Sequence, residues 1–184
     1  MISINNYISE KLVINKNTKL QYKYFPETKG ELQDIIEQRI NEEGNECNLN
    51  DIDVSKIIDM SGLFYDSEFN GDISQWDVSS VEDMDEMFMW GNFNKDISEW
   101  DVSNVKTMNK MFYNSEFNQD ISKWNVSNVK TMYAIFKYSK FNQDISKWKI
   151  NNDCDILSIF DKTALEGKEK DWWIKNKCVK EKYD

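Results

Sequence analysis

The chain has 184 residues, 40% of them hydrophobic, 14% aromatic and 30% charged, with a formal net charge of −10. Seven tryptophans against six glycines and one proline exclude a disordered or collagen-like chain, and the acidic balance disfavours nucleic acid or anionic membrane as a partner. Histidine is absent, which removes the commonest general base and metal ligand.

At the N-terminus, MISINNYISEKLVINK has no basic region and no apolar run of signal-peptide length, and no later stretch has the length of a membrane-spanning helix. The expected compartment is the cytoplasm. Within Ile2–Phe25, the pieces Lys11–Ile14 and Leu20–Phe25 suggest a hairpin with Asn15–Lys19 as its turn. Thr28 and Glu31 have capping-box spacing before Leu32, Ile35, Ile36 and Ile40, and Gly44 is a stop, so a helix is predicted over about 28–43. Residues 47–52 read as a half-repeat. Together, residues 1–52 form an N-terminal cap. Cys47, Cys154 and Cys178 are odd in number and irregular in spacing, and read as free thiols.

From residue 53 a 24-residue period takes over. Trp76, Trp100, Trp124, Trp148 and Trp172 mark it, and parallel columns follow at Val54, Val78, Val102, Val126 and Ile150 and at Phe64, Phe88, Phe112, Phe136 and Phe160. Another column runs Ile73, Ile97, Ile121, Ile145 and breaks at Glu169. Five units therefore span 53–172, the last degenerate, and 173–184 closes the end. The frame I-x-x-W-x-V matches a leucine-rich core, which predicts a leucine-rich-repeat-like α+β solenoid. Its W-x-V steps would form a short parallel sheet on one face. Val129, Met132, Ile135 and Phe136 would form a short helical or 3-10 piece on the other.

The phrases FNGDISQWDVSSVEDM (69–84) and FNQDISKWNVSNVKTM (117–132), each followed by M-F or I-F, carry a finer likeness. So does the lead-in YFPETKGELQDIIEQRI followed by LNDIDVSKIIDMSGLF. Over about residues 24–165 the chain resembles the BspA-like leucine-rich-repeat surface proteins. That resemblance implies adhesion to other proteins, a cell-surface or secreted location as the alternative compartment, and no catalytic residues.

Between copies, the residues flanking each tryptophan vary. They read Asp51 and Asp53 around Ile52, which holds the tryptophan's place, then Gln75 and Asp77, Glu99 and Asp101, Lys123 and Asn125, and Lys147 and Lys149. The row passes from acidic to basic, as the first four units do: five acids and one base in 53–76, seven and one in 77–100, three and three in 101–124, one and four in 125–148, before 149–172 returns to six and four. A bipolar face orients a partner of opposite polarity. Asp53, Gln75, Asp77, Glu99, Asp101, Lys123, Asn125, Lys147 and Lys149 are therefore the candidate partner-binding residues.

Other motifs carry less. Asp72, Asp96, Asp120 and Asp144 are better suited, with Asn70, Asn94, Asn118 and Asn142, to capping local turns than to holding Ca²⁺, because the dense alternation of a calcium loop is missing. The acidic patch Glu82, Asp83, Asp85 and Glu86 reads as a solvated turn, and Met84, Met108 and Met132 as core. Ser79, Ser103 and Ser127 have no base beside them. The sequence thus predicts a non-enzymatic monomer without metal or cofactor that binds a protein partner through its repeat face. The alternative is an acidic inhibitor occupying the basic nucleic-acid channel of a host or defence enzyme.

Overall fold

The computed structural model describes residues 22–165. The predicted hairpin, apart from its last residues, lies outside them, as do Glu169, Trp172 and the closing segment 173–184.

Helix α1 spans Lys29–Glu43. Thr28 Oγ1 accepts the Glu31 amide at 3.2 Å, and Glu31 Oε2 turns back to accept the Glu27 amide at 2.7 Å. At the other end Gly44 takes a φ of +88°, open to glycine without strain, and its N–H donates to Ile40 O at 2.8 Å. Leu32, Ile35, Ile36 and Arg39 form the buried face. Three of these are apolar and one is charged.

The expected leucine-rich-repeat-like solenoid, with a parallel sheet on one face and helical pieces on the other, is not what forms. Among the described residues α1 is the one helix, and there is no strand. Parallel pairing is confined to isolated bridges, such as Asp59 to Asp83, Asp83 to Thr107, Thr107 to Thr131 and Thr131 to Asp155. None of them involves a tryptophan.

Tandem turns are the physical reason. The Trp76 amide donates back to Ile73 O at 3.2 Å, and the Val81 amide to Val78 O at 2.9 Å. The same two closures recur at Trp100 and Val105 and at Trp124 and Val129. A segment closed onto itself twice leaves W-x-V too short to pair as a strand.

The stretch read as helical is also made of turns. Alternate amides there serve the next copy: Met60, Gly62, Phe64 and Asp66 donate to the carbonyls of Asp83, Asp85, Met87 and Met89 at 2.8–2.9 Å. The amides between them, of Leu63 and Tyr65, close turns onto Met60 and Gly62. Each copy therefore needs two left-handed residues. Positive φ recurs at Gly62, Glu86, Lys110, Ala134 and Ser158, and again at Asp66, Trp90, Asn114, Tyr138 and Lys162. Apolar spacings of three and four residues fit such turns as well as they fit a helix.

What holds the copies together is a buried cluster of stacked aromatics. Phe64, Phe88, Phe112 and Phe136 stack with centroids 5.5, 5.6 and 5.8 Å apart. Phe69, Phe93, Phe117 and Phe141 form a second column at 6.2–6.3 Å. The columns touch within each copy, for example Phe112 with Phe117 at 4.1 Å. Near-parallel offset rings add to the burial term.

At the start of the cluster Gly71 has no room for a side chain. A Cβ there would lie 2.0 Å from Cys47 O and 2.6 Å from the Phe69 ring. Later copies hold Lys95, Gln119 and Gln143 at this place. Gly71→Ala is expected to destabilise by about 1–3 kcal/mol, the range for forced overpacking. Thermal denaturation of the variant checks it, and an unchanged midpoint would contradict the crowding.

Candidate interaction surface

Trp76, Trp100, Trp124 and Trp148 are each anchored twice. Each ring is buried, with Trp124 at 3% exposure. Each indole N–H donates to a carbonyl 27 residues back: Trp76 to Leu49, Trp100 to Ile73, Trp124 to Ile97 and Trp148 to Ile121, at 2.9–3.2 Å. With the ring pinned inward, the residues on either side of it face outward. Gln75, Asp77, Glu99, Asp101, Lys123, Asn125, Lys147 and Lys149 are all exposed.

The first positions of the row differ. Asp53 is half-buried, and its amide donates to Tyr24 O at 2.9 Å. Asp51 faces inward rather than out. Its carboxylate binds Arg39 Nη1 at 2.8 Å and Lys23 Nζ at 3.0 Å. Burial raises the Asp51 carboxyl, but the bonds from Arg39 and Lys23 outweigh it and hold the group below the usual range. The outward row therefore starts at Gln75.

The residues that follow each tryptophan are fixed by short turns. Asp77 Oδ1 accepts the Ser79 amide at 3.1 Å and its hydroxyl at 2.6 Å, and Asn125 Oδ1 holds Ser127 likewise. Asp101 accepts the Ser103 amide at 3.0 Å, and its Ser103 bonds depress the carboxyl. Lys123 Nζ reaches Glu99 Oε1 at 2.6 Å, which raises the lysine. Both side chains of that pair remain largely in solvent, so it contributes little to stability.

Asp72, Asp96, Asp120 and Asp144 each accept the amide two residues on, at 2.8–3.0 Å. They cap their own turns. The asparagines before them do not cap locally. Asn70, Asn94 and Asn118 instead accept the amides of Asn94, Asn118 and Asn142 in the following copy, at 2.8–2.9 Å. No group of three or more His, Cys, Asp or Glu among the described residues is arranged to hold a metal ion.

The sequence pattern leaves unmarked two aromatic pairs in which Tyr65, Trp90 and Tyr138 are exposed and Tyr113 is half-buried. Tyr65 and Trp90 meet at 5.3 Å, and Tyr113 and Tyr138 at 5.5 Å, as two aromatic pairs at the left-handed turns. These columns also hold Met89 and Asn114, so no repeat signal marks them. Among the described residues no helix is long and apolar enough to cross a membrane.

The pattern that builds this surface matches a family described as Mycoplasma protein of unknown function, DUF285, over residues 32–137 and again over 93–182. The chain belongs to this family. For DUF285 the two overlapping matches cover the tryptophan row, the aromatic cluster and most of α1. No curated protein and no solved structure matches the chain.

Proposed function

We propose that this DUF285 member is a non-enzymatic protein-binding module whose contact surface is the row Gln75–Lys149. The observation that carries the reading is the contrast along each copy. The inward positions barely change, whereas the outward ones pass from Asp77, Glu99 and Asp101 to Lys123, Lys147 and Lys149. Packing demands the first pattern, and a solvated surface imposes no such polarity. The finer likeness to BspA-like leucine-rich-repeat surface proteins, whose members adhere to other proteins, supports the same function. A bipolar row fixes the orientation and speeds the encounter of a complementary partner.

The test is double charge reversal, Glu99→Lys with Asp101→Lys. Both sites are exposed, so stability should change by no more than about 0.5 kcal/mol. Circular dichroism should be unchanged, while capture of the partner from the source cell, read by mass spectrometry, should fall about tenfold or more. Unchanged capture would remove the row as the interface. Release of the captured protein by DNA or RNA competitors would favour the rival reading, an acidic inhibitor of a nucleic-acid channel.

A further inference from the structure

We propose that the row's partner is a second copy of this chain, packed antiparallel. The inference rests on the reading of the row as a contact surface and names what occupies it.

The first ground is charge. From Gln75 to Lys149 the row carries three carboxylates, Asp77, Glu99 and Asp101, and three ammonium groups, Lys123, Lys147 and Lys149. It is neutral as a whole on a chain of net charge −10. Two copies would repel over most of their surface and not over this row.

The second ground is which charges are already matched. Glu99 and Lys123 pair with each other at the middle of the row, at 2.6 Å. Toward the ends, Asp77, Asp101, Lys147 and Lys149 have no ion-pair partner among the described residues. Carboxylates outside any ion pair lie toward one end and ammonium groups outside any ion pair toward the other, where Lys147 is within electrostatic reach of the exposed Asp120.

The third ground is symmetry. A two-fold axis in the contact plane can lie along the stacking direction or across it. Along it, the two columns exchange while the copies stay in step, so Glu99 opposes Asp101 and Lys147 opposes Lys149. Across it, the order of copies reverses while the columns keep their place. Asp77 then opposes Lys149, Glu99 opposes Lys123, Gln75 opposes Lys147 and Asp101 opposes Asn125. Every carboxylate meets an ammonium or an amide, and no like charges meet. The register holds because each copy is tied to the next by the same bonds 24 residues on, as in the Asn70–Asn94–Asn118–Asn142 series.

Sedimentation velocity of the purified chain across concentration and salt tests the pairing. The expected result is a dimer that grows with concentration at low ionic strength and dissociates in about 0.5 M salt, where the screening length is only a few ångströms. Asp77→Lys or Lys149→Glu alone should raise the dissociation constant about tenfold or more, and the two together should restore it. Gln75→Lys with Lys147→Glu repeats the exchange at a position whose side chain caps no turn, in case loss of the Asp77 cap perturbs the fold. A monomer at all concentrations in low salt overturns the proposal. So does a dimer indifferent to the single reversals, or a double reversal no better than either single one. If the chain is a monomer but Glu99→Lys with Asp101→Lys still loses a different protein, self-pairing fails and the contact-surface reading stands. If that capture is also unchanged, both fail.

Discussion

Trp124→Ala is expected to destabilise the fold by about 3–5 kcal/mol, within the range for deleting a large buried aromatic. Trp124 sits in the middle of the aromatic cluster, 6.4 Å from Phe112 and 3% exposed. Its removal leaves a cavity that Phe112 cannot close without giving up its own stacking on Phe88 and Phe136. Total stability of such a domain is about 5–15 kcal/mol, so the loss is a large share of it. Trp124→Phe separates the two anchors. It keeps most of the ring volume and deletes the indole N–H that reaches Ile97 O at 3.1 Å. That carbonyl retains the Trp100 amide at 3.2 Å, so it is not orphaned, and the loss should be about 1 kcal/mol from the bond plus a small packing term. Chemical denaturation of the three proteins checks the order. Equal midpoints for wild type and Trp124→Ala would contradict a packed column, and Trp124→Phe as damaging as Trp124→Ala would assign the column's strength to the hydrogen bond instead.

The period was legible because packing forces it. Phe117, Ile121, Trp124, Val126, Val129 and Met132 recur since each copy buries the same side chains against its neighbours, and all six are at most 3% exposed. The caps of α1 were legible because Thr28 and Gly44 act through local geometry alone. The backbone between the columns was not. I-x-x-W-x-V spells a strand by alternation and tandem turns by hydrogen bonding, and side-chain pattern does not distinguish them. Residues such as Lys110, Ala134 and Ser158 in the left-handed region gave no warning, because in their column only Gly62 advertises that conformation. In the row beside the tryptophans, exposure on either side of a buried ring follows from the ring's direction, whichever backbone carries it. Asp51 escaped that logic because its partner, Arg39, lies on a different element. A pairing between α1 and the half-repeat leaves no mark in the repeat.

That arginine carries the second large effect. Arg39 projects from the buried face of α1 at 7% exposure and gathers four groups. Its Nε and Nη2 hold Glu43 at 2.6 and 3.1 Å, Nη1 holds Asp51 at 2.8 Å, and Nη2 also donates to Asn48 O at 2.9 Å. The guanidinium lies 5.4 Å from the centre of the Tyr24 ring. Burial opposes its charge, but the bonds to Glu43 and Asp51 more than offset it and keep the group protonated. Arg39→Ala removes one partner of a buried pair and should destabilise by about 3 kcal/mol, the low end of the range for such losses, because Lys23 still neutralises Asp51 and Glu43 reaches solvent. Arg39→Lys should recover less than half of that, since an ammonium cannot bridge both carboxylates and the carbonyl. A pH series provides the independent readout. The folded Asp51 carboxyl is depressed below its unfolded value, so the unfolded chain binds its proton first as pH falls. The stability contributed by the pair is therefore complete above about pH 5 and lost progressively as pH drops through the unfolded and then the folded value. Arg39→Met, which keeps the packed stem, should flatten that acid limb while losing stability at neutral pH. An acid limb as steep as that of the wild type would show that the pair does not couple α1 to the half-repeat.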